Sequence, residues 1–313
     1  MPIFKDANLE RVIRETADRP SGVLRSSDLS SIRTLYASKS EVCDLDGIEQ
    51  CRNLEWLVLN TNRISDVSPV TELVKLRHLD LDRNRVADLS PLSKLPVIRN
   101  LHLACNPIDC LAPLSRLGTL ETLWMHTSNL EDLTPLAGLT NLSRLSLNSN
   151  RIADATPLRE LTKLQLLLMH TNAIANLGPL SHLKALRALY LNHNRITDIG
   201  PLSHLSNLET LQLSSNGIVD IAPLAHLSGL KWILLTCNRV ADLSALSGQV
   251  RIVALRLDRN RIEDLAPLLE HAGLVAKSHV ALTGNPLDLR PGSSAMRCIG
   301  ELKKRGVDVT YET

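Results

Sequence analysis

From Ile32 onward the sequence repeats every 22 residues, and that period constrains the fold more than any other feature. Units begin at Ile32, Leu54, Leu76, Ile98, Leu120, Leu142, Leu164, Leu186, Leu208, Leu230 and Ile252, eleven in succession without an insertion. A degraded twelfth follows after three extra residues, with Val280, Leu282, Asn285 and Leu287 in the matching places. Apolar residues recur at unit positions 1, 4, 6, 11, 14, 17 and 20. One unit cannot bury such a face, but a stack of units buries it as a continuous column. Composition agrees: 63 of 313 residues are leucine and seven are aromatic, too few large rings for an ordinary compact core.

Each fixed position has a physical job. The alternation at positions 4 and 6, as in Leu145 and Leu147, predicts a short strand, and stacked strands give a parallel sheet. Position 9 is asparagine in nine of eleven units, with Ser40 and Ser128 as the exceptions. Buried at a turn, its amide can donate to and accept from backbone groups left unpaired there, forming a ladder. Position 16 is proline in nine units, from Pro69 to Pro267. Proline suits an extended or 3₁₀ return segment, and 22 residues leave little room for an α-helix.

The recurring NxIxDxxPLxxL, as in NRISDVSPVTEL (Asn62–Leu73) and NRITDIGPLSHL (Asn194–Leu205), resembles the bacterial internalin type of leucine-rich repeat across essentially the whole chain. The resemblance implies a right-handed α/β solenoid, or horseshoe. A parallel sheet would line its concave face, with 3₁₀ and extended segments on its convex face. Residues 1–31 are expected to form a helical amino-terminal cap, with one helix opening at Asp6 and a second at Ser26 or Ser27. Repeats then occupy residues 32–273, the degenerate twelfth 274–289, and a helix-plus-strand cap 290–313, all as one domain. In the last cap, Ser293 or Ser294 starts the helix, Gly306 stops it, and Val307–Tyr311 closes the sheet.

Net charge is +2, from 35 basic and 33 acidic residues without a block of either sign, which favours neither nucleic acid nor a membrane surface. No run of 18 apolar residues offers a membrane span, and the charged start MPIFKDANLE has no signal-peptide core. Cys105 and Cys237 share position 8 but lie six units apart, beyond disulfide reach, and Cys43, Cys51, Cys110 and Cys298 are scattered. Six reduced thiols point to the cytoplasm, with a secreted or surface-exposed location as the alternative.

No catalytic signature occurs, and no enzyme activity, cofactor or metal is expected. A zinc reading of His102, Cys105 and Cys110 fails because those side chains should diverge. His182, His204 and His226 share position 19 and are read as a repeated surface turn rather than a metal ladder. Arginine at position 10 in six units and aspartate at position 13 in nine are expected to compensate each other along one edge.

Recognition chemistry gathers at positions 3, 5 and 7, which should project from the strands. All five aromatics of the eleven units, Tyr36, Trp56, Trp124, Tyr190 and Trp232, fall at positions 3 or 5. Around Trp124 the same face carries Asp80, Asp82, His102, His126, Arg144 and His170, a patch about 20 Å long at roughly 5 Å per strand. An aromatic anchor in a polar surround suits a protein partner, bound by a monomer. A general acid–base pair of Asp80 or Asp82 with His102 is the sharper alternative, and the histidines allow affinity that changes near pH 6. Two other readings are a structural scaffold and a regulatory subunit that docks on a separate enzyme.

Overall fold

The computed structural model describes residues 3–271 and 273–312, which divide into two compact units, one ending at Arg151 and the other starting at Ile152. In the first unit, α1 (Ala7–Thr16) is capped by the Asp6 carboxylate, which accepts from the backbone N–H groups of Asn8 and Leu9. The other Asp6 oxygen accepts from the Cys43 and Asp44 N–H groups, tying the cap to the first coil. Gly47 faces the cap at φ +103°; a Cβ there would sit 2.3 Å from the Ile3 carbonyl oxygen. After α2 (Ser26–Ser31) come β1 (Thr34–Tyr36), β2 (Trp56–Val58), β3 (His78–Asp80), β4 (Asn100–His102), β5 (Thr122–Trp124) and β6 (Arg144–Ser146). They pair in that order, all parallel.

The second unit repeats the pattern with β7 (Leu166–Leu168), β8 (Ala188–Tyr190), β9 (Thr210–Gln212), β10 (Trp232–Leu234), β11 (Ala254–Arg256), β12 (His279–Ala281) and β13 (Asp308–Thr310). These also pair in sequence, all parallel. Ser293 caps the closing helix, which spans Ser294–Lys304. Within each unit the leucine-rich coil forms one turn of a solenoid, and the columns Leu54, Leu57, Leu59 and their equivalents are fully buried.

Position 9 performs as its chemistry requires. The Asn84 amide donates to the Leu59 and Leu81 carbonyls, and its oxygen accepts from the Ile64 N–H at 3.0 Å. Asn62, Asn106, Asn150, Asn194 and Asn238 repeat the pattern. Ser128 is 3% exposed and its hydroxyl has no partner. The residue before it in each unit, position 8, turns the chain in the left-handed region: Thr61, Arg83, Cys105, Thr127 and their equivalents have φ of 54–60°.

Return segments are short 3₁₀ turns with proline in their first two positions, as at Ser68–Glu72 and Gly178–His182. The eleventh differs: Ala266–Glu270 is one turn of α-helix, because three extra residues before β12 give the chain room for the wider turn. The aspartates of position 13 do not compensate the position 10 arginines. Asp66, Asp88, Asp132 and Asp154 instead accept from the N–H two residues on, at 2.8 Å, capping each 3₁₀ turn. The hydroxyls of Ser90, Thr134 and Thr156 hold Asp88, Asp132 and Asp154 below the usual carboxylate range. Arg63 and Arg151 pair with Glu41 and Glu131 instead, at 3.7 and 3.8 Å.

Candidate functional site

Strand alternation turns positions 4 and 6 into the core and leaves 3, 5 and 7 on the outer sheet face. In the first unit the parallel register sets Trp56 beside His78, and both Asp80 and Trp124 beside His102. The rings lie against each other. Trp56 and His78 stack at 3.7 Å between centroids and 8° between planes, and His102 and Trp124 at 4.4 Å and 7°. His78 meets His102 edge-on at 5.1 Å, so four rings from four successive strands form one continuous row.

The aromatic anchors are therefore less free than their positions suggest. Trp56 is 39% exposed, but Trp124 is half-buried, with its indole nitrogen sealed from water and unpartnered. His78, absent from the residues picked by sequence, is 6% exposed. Its only signal was its position, one unit after Trp56 in the same column. Burial, and secondarily the charge of His102, push the His78 imidazole down to about 4. Burial likewise lowers His102 against the opposing pull of Asp80, and lowers His126 with help from Arg83. In all three rings burial disfavours the charged form.

Beside the row lies a carboxylate–histidine cluster. The Asp82 N–H donates to Asp80 Oδ1 at 2.9 Å, and the Ala104 N–H to Asp82 Oδ1 at 2.7 Å. One ligand atom each from Asp80, Asp82 and His102 lie within 4.8 Å of one another. Burial raises the Asp82 carboxyl to about 6, reinforced by Asp80 and opposed by the Ala104 N–H and by Arg83. His102 Nδ1 sits 4.0 Å from Asp80 Oδ2, too far for the hydrogen bond that would orient an acid–base pair. Arg144 is exposed at the start of β6.

His170, Tyr190 and Trp232 belong to the second unit. His170 and Tyr190 are half-buried, and Trp232 is 39% exposed beneath Lys231, whose Nζ lies 5.9 Å from the ring centroid. Lys231 also binds Glu209 at 2.6 Å, and Arg187 binds the same carboxylate; these cations hold Glu209 down to about 2. His204 and His226 line an open cleft of about 540 Å³ with Asp220. Among the described residues, neither those histidines nor Cys105 and Cys110 converge as metal ligands; Asp80, Asp82 and His102 alone do. All six cysteines are free thiols.

A family profile described as "Leucine Rich repeats (2 copies)" matches residues 52–94, 74–116 and 184–226. The chain is similar to the crystal structure of internalin InlF from Listeria monocytogenes, with 30% identity, a TM-score of 0.84, and coverage of 99% of this chain and 96% of that one. Internalin C2 of the same organism is 34% identical over 75% of this chain and 95% of that one, at a TM-score of 0.59. The ectodomain of the Arabidopsis thaliana receptor kinase GASSHO1/SCHENGEN3, solved in complex with CASPARIAN STRIP INTEGRITY FACTOR 2, shares the fold. It is 21% identical, with a TM-score of 0.73 over 93% of this chain and 37% of that one. No curated protein matches.

Proposed function

We propose that this chain, which belongs to the internalin-like leucine-rich-repeat proteins, captures a protein partner on the outer face of its strands without performing chemistry. Leucine-rich-repeat proteins are in general protein-interaction modules rather than catalysts. The observation that carries the reading is the row Trp56–His78–His102–Trp124. Trp56 and Trp124, already locked in place by the histidines between them, lose little conformational freedom on binding, so their contact area goes into affinity rather than into ordering. Asp80, Asp82 and His126 on the same face supply the polar surround, with Arg144 exposed nearby; in the second unit, half-buried Tyr190 and exposed Trp232 are further candidate contacts on their own strands. No described helix is long and apolar enough to cross a membrane, and near-neutral charge gives no electrostatic handle for nucleic acid. A monomer in a reducing compartment suits six free thiols.

Affinity capture from a lysate of the source cells, and separately of candidate host cells, tests the reading. Wild-type chain is compared with Trp56→Ala/Trp124→Ala and with the return-segment variant His204→Ala/His226→Ala. A protein retained by wild type and by the histidine variant but lost from the tryptophan variant supports face-specific recognition. Identical capture by all three would sink it and leave the scaffold reading in front.

A further inference from the structure

The Asp80–Asp82–His102 cluster has a use that protein recognition does not require. We propose that these three side chains bind a divalent transition-metal cation on the outer face of β3 and β4. Two carboxylates leave the end of one strand in the alternate positions that share a face, and the imidazole comes from the neighbouring strand, in register with Asp80. Backbone N–H groups occupy one oxygen of each carboxylate, Asp82 N–H on Asp80 Oδ1 and Ala104 N–H on Asp82 Oδ1. This fixes both carboxylates while leaving Oδ2 of each, and Nδ1 of His102, for a ligand.

The donors already lie within 4.8 Å of one another. Around an ion with bonds of about 2.0–2.2 Å, donor atoms sit roughly 3–3.5 Å apart, so the donors must draw closer to close the site. The site is half-buried, and among the described residues no lysine or arginine forms an ion pair with either carboxylate. Two carboxylates this close repel each other, and a cation joining them relieves that repulsion. The histidine is prepared as well: Trp124 stacked on its face and His78 at its edge hold the His102 ring in one plane.

Two carboxylate oxygens and one imidazole nitrogen suit zinc, cobalt or manganese. Calcium and magnesium prefer an all-oxygen shell. Three protein donors leave coordination positions open toward solvent.

The full chain, stripped with EDTA and dialysed, is titrated with CoCl₂ by visible absorption and with ZnCl₂ by calorimetry. One equivalent of Co²⁺ should produce d–d bands that Zn²⁺ bleaches. Asp82→Asn and His102→Gln should each weaken binding about 100-fold, and His204→Ala/His226→Ala should change nothing. Asp82→Asn keeps an oxygen for the Ala104 N–H, and an unchanged circular dichroism spectrum checks its fold. Absence of saturable binding by wild type overturns the proposal. So does binding that survives Asp82→Asn and His102→Gln and disappears with the His204/His226 pair. Neither failure touches partner capture, which is read on a different variant.

Discussion

The two units share one framework and use their outer faces differently. In the first, β2, β3, β4 and β5 each contribute a ring, and every ring touches the next. In the second, Tyr190 and Trp232 stand on β8 and β10, two strands apart, and the nearest strong interactions are ionic, Arg187 and Lys231 on Glu209. Two tryptophans joined by two histidines therefore make a fixed row in one case, while a tyrosine and a tryptophan stand as separate rings in the other. What decides is whether successive coils carry rings in touching columns. The ladders differ too: the first is interrupted at Ser128, while the second runs through Asn194, Asn216, Asn238 and Asn260 to Asn285.

If the row is a packed unit, Trp124→Ala should cost about 2–3 kcal/mol in urea unfolding, and Trp232→Ala, exposed beside a lysine, under about 1 kcal/mol. Equal costs would erase the contrast. A smaller effect sharpens it in the second unit, where His271 is fully buried, its Nδ1 accepting from the Gly273 N–H at 3.0 Å and its Nε2 unpartnered. Burial chiefly lowers this imidazole, aided by Arg305. With the folded value below the ordinary value of about 6.5, the unfolded chain binds the extra proton. Its contribution is therefore intact above about pH 6.5 and drains as pH falls below that. Between pH 7.5 and 5, wild type should lose more stability than His271→Asn, whose oxygen can still accept from Gly273. Parallel pH curves would show that His271 is not a neutral buried group. The smallest effect concerns the broken ladder. Ser128→Asn should stabilise by about 1 kcal/mol, since a new amide can donate to the Leu103 and Met125 carbonyls as its neighbours do. A loss of stability would mean that the turn around Ser128 cannot accept the larger side chain.

The period alone located the strands, the buried columns, the asparagine ladder and the prolines, because each of those depends on position within a unit and on little else. It placed Asp80, Asp82, His102 and Trp124 on one face for the same reason. It did not show that position 13 aspartates cap their own turns, since a carboxylate two residues before a free N–H competes silently with a nearby arginine. Nor did it reveal His78 in the row. That contact depends on a diagonal step from position 3 of one coil to position 5 of the next, and on which way each ring turns. The convergence of Asp80, Asp82 and His102 was legible only as proximity, because which carboxylate oxygen remains free is settled by the backbone hydrogen bonds of Asp82 and Ala104.

The asparagine ladder has a consequence for how such a chain is assembled and lengthened. Asn84 makes its bonds within its own coil and to residues 20 and 25 places back, and Asn106, Asn194 and Asn238 span those same separations. No coil waits for a distant part of the chain to arrive, so the closure entropy met by each new coil is the same however many precede it. Folding can spread coil by coil, and a tandem duplication of one unit enters the chain with its hydrogen-bond partners already supplied on both sides.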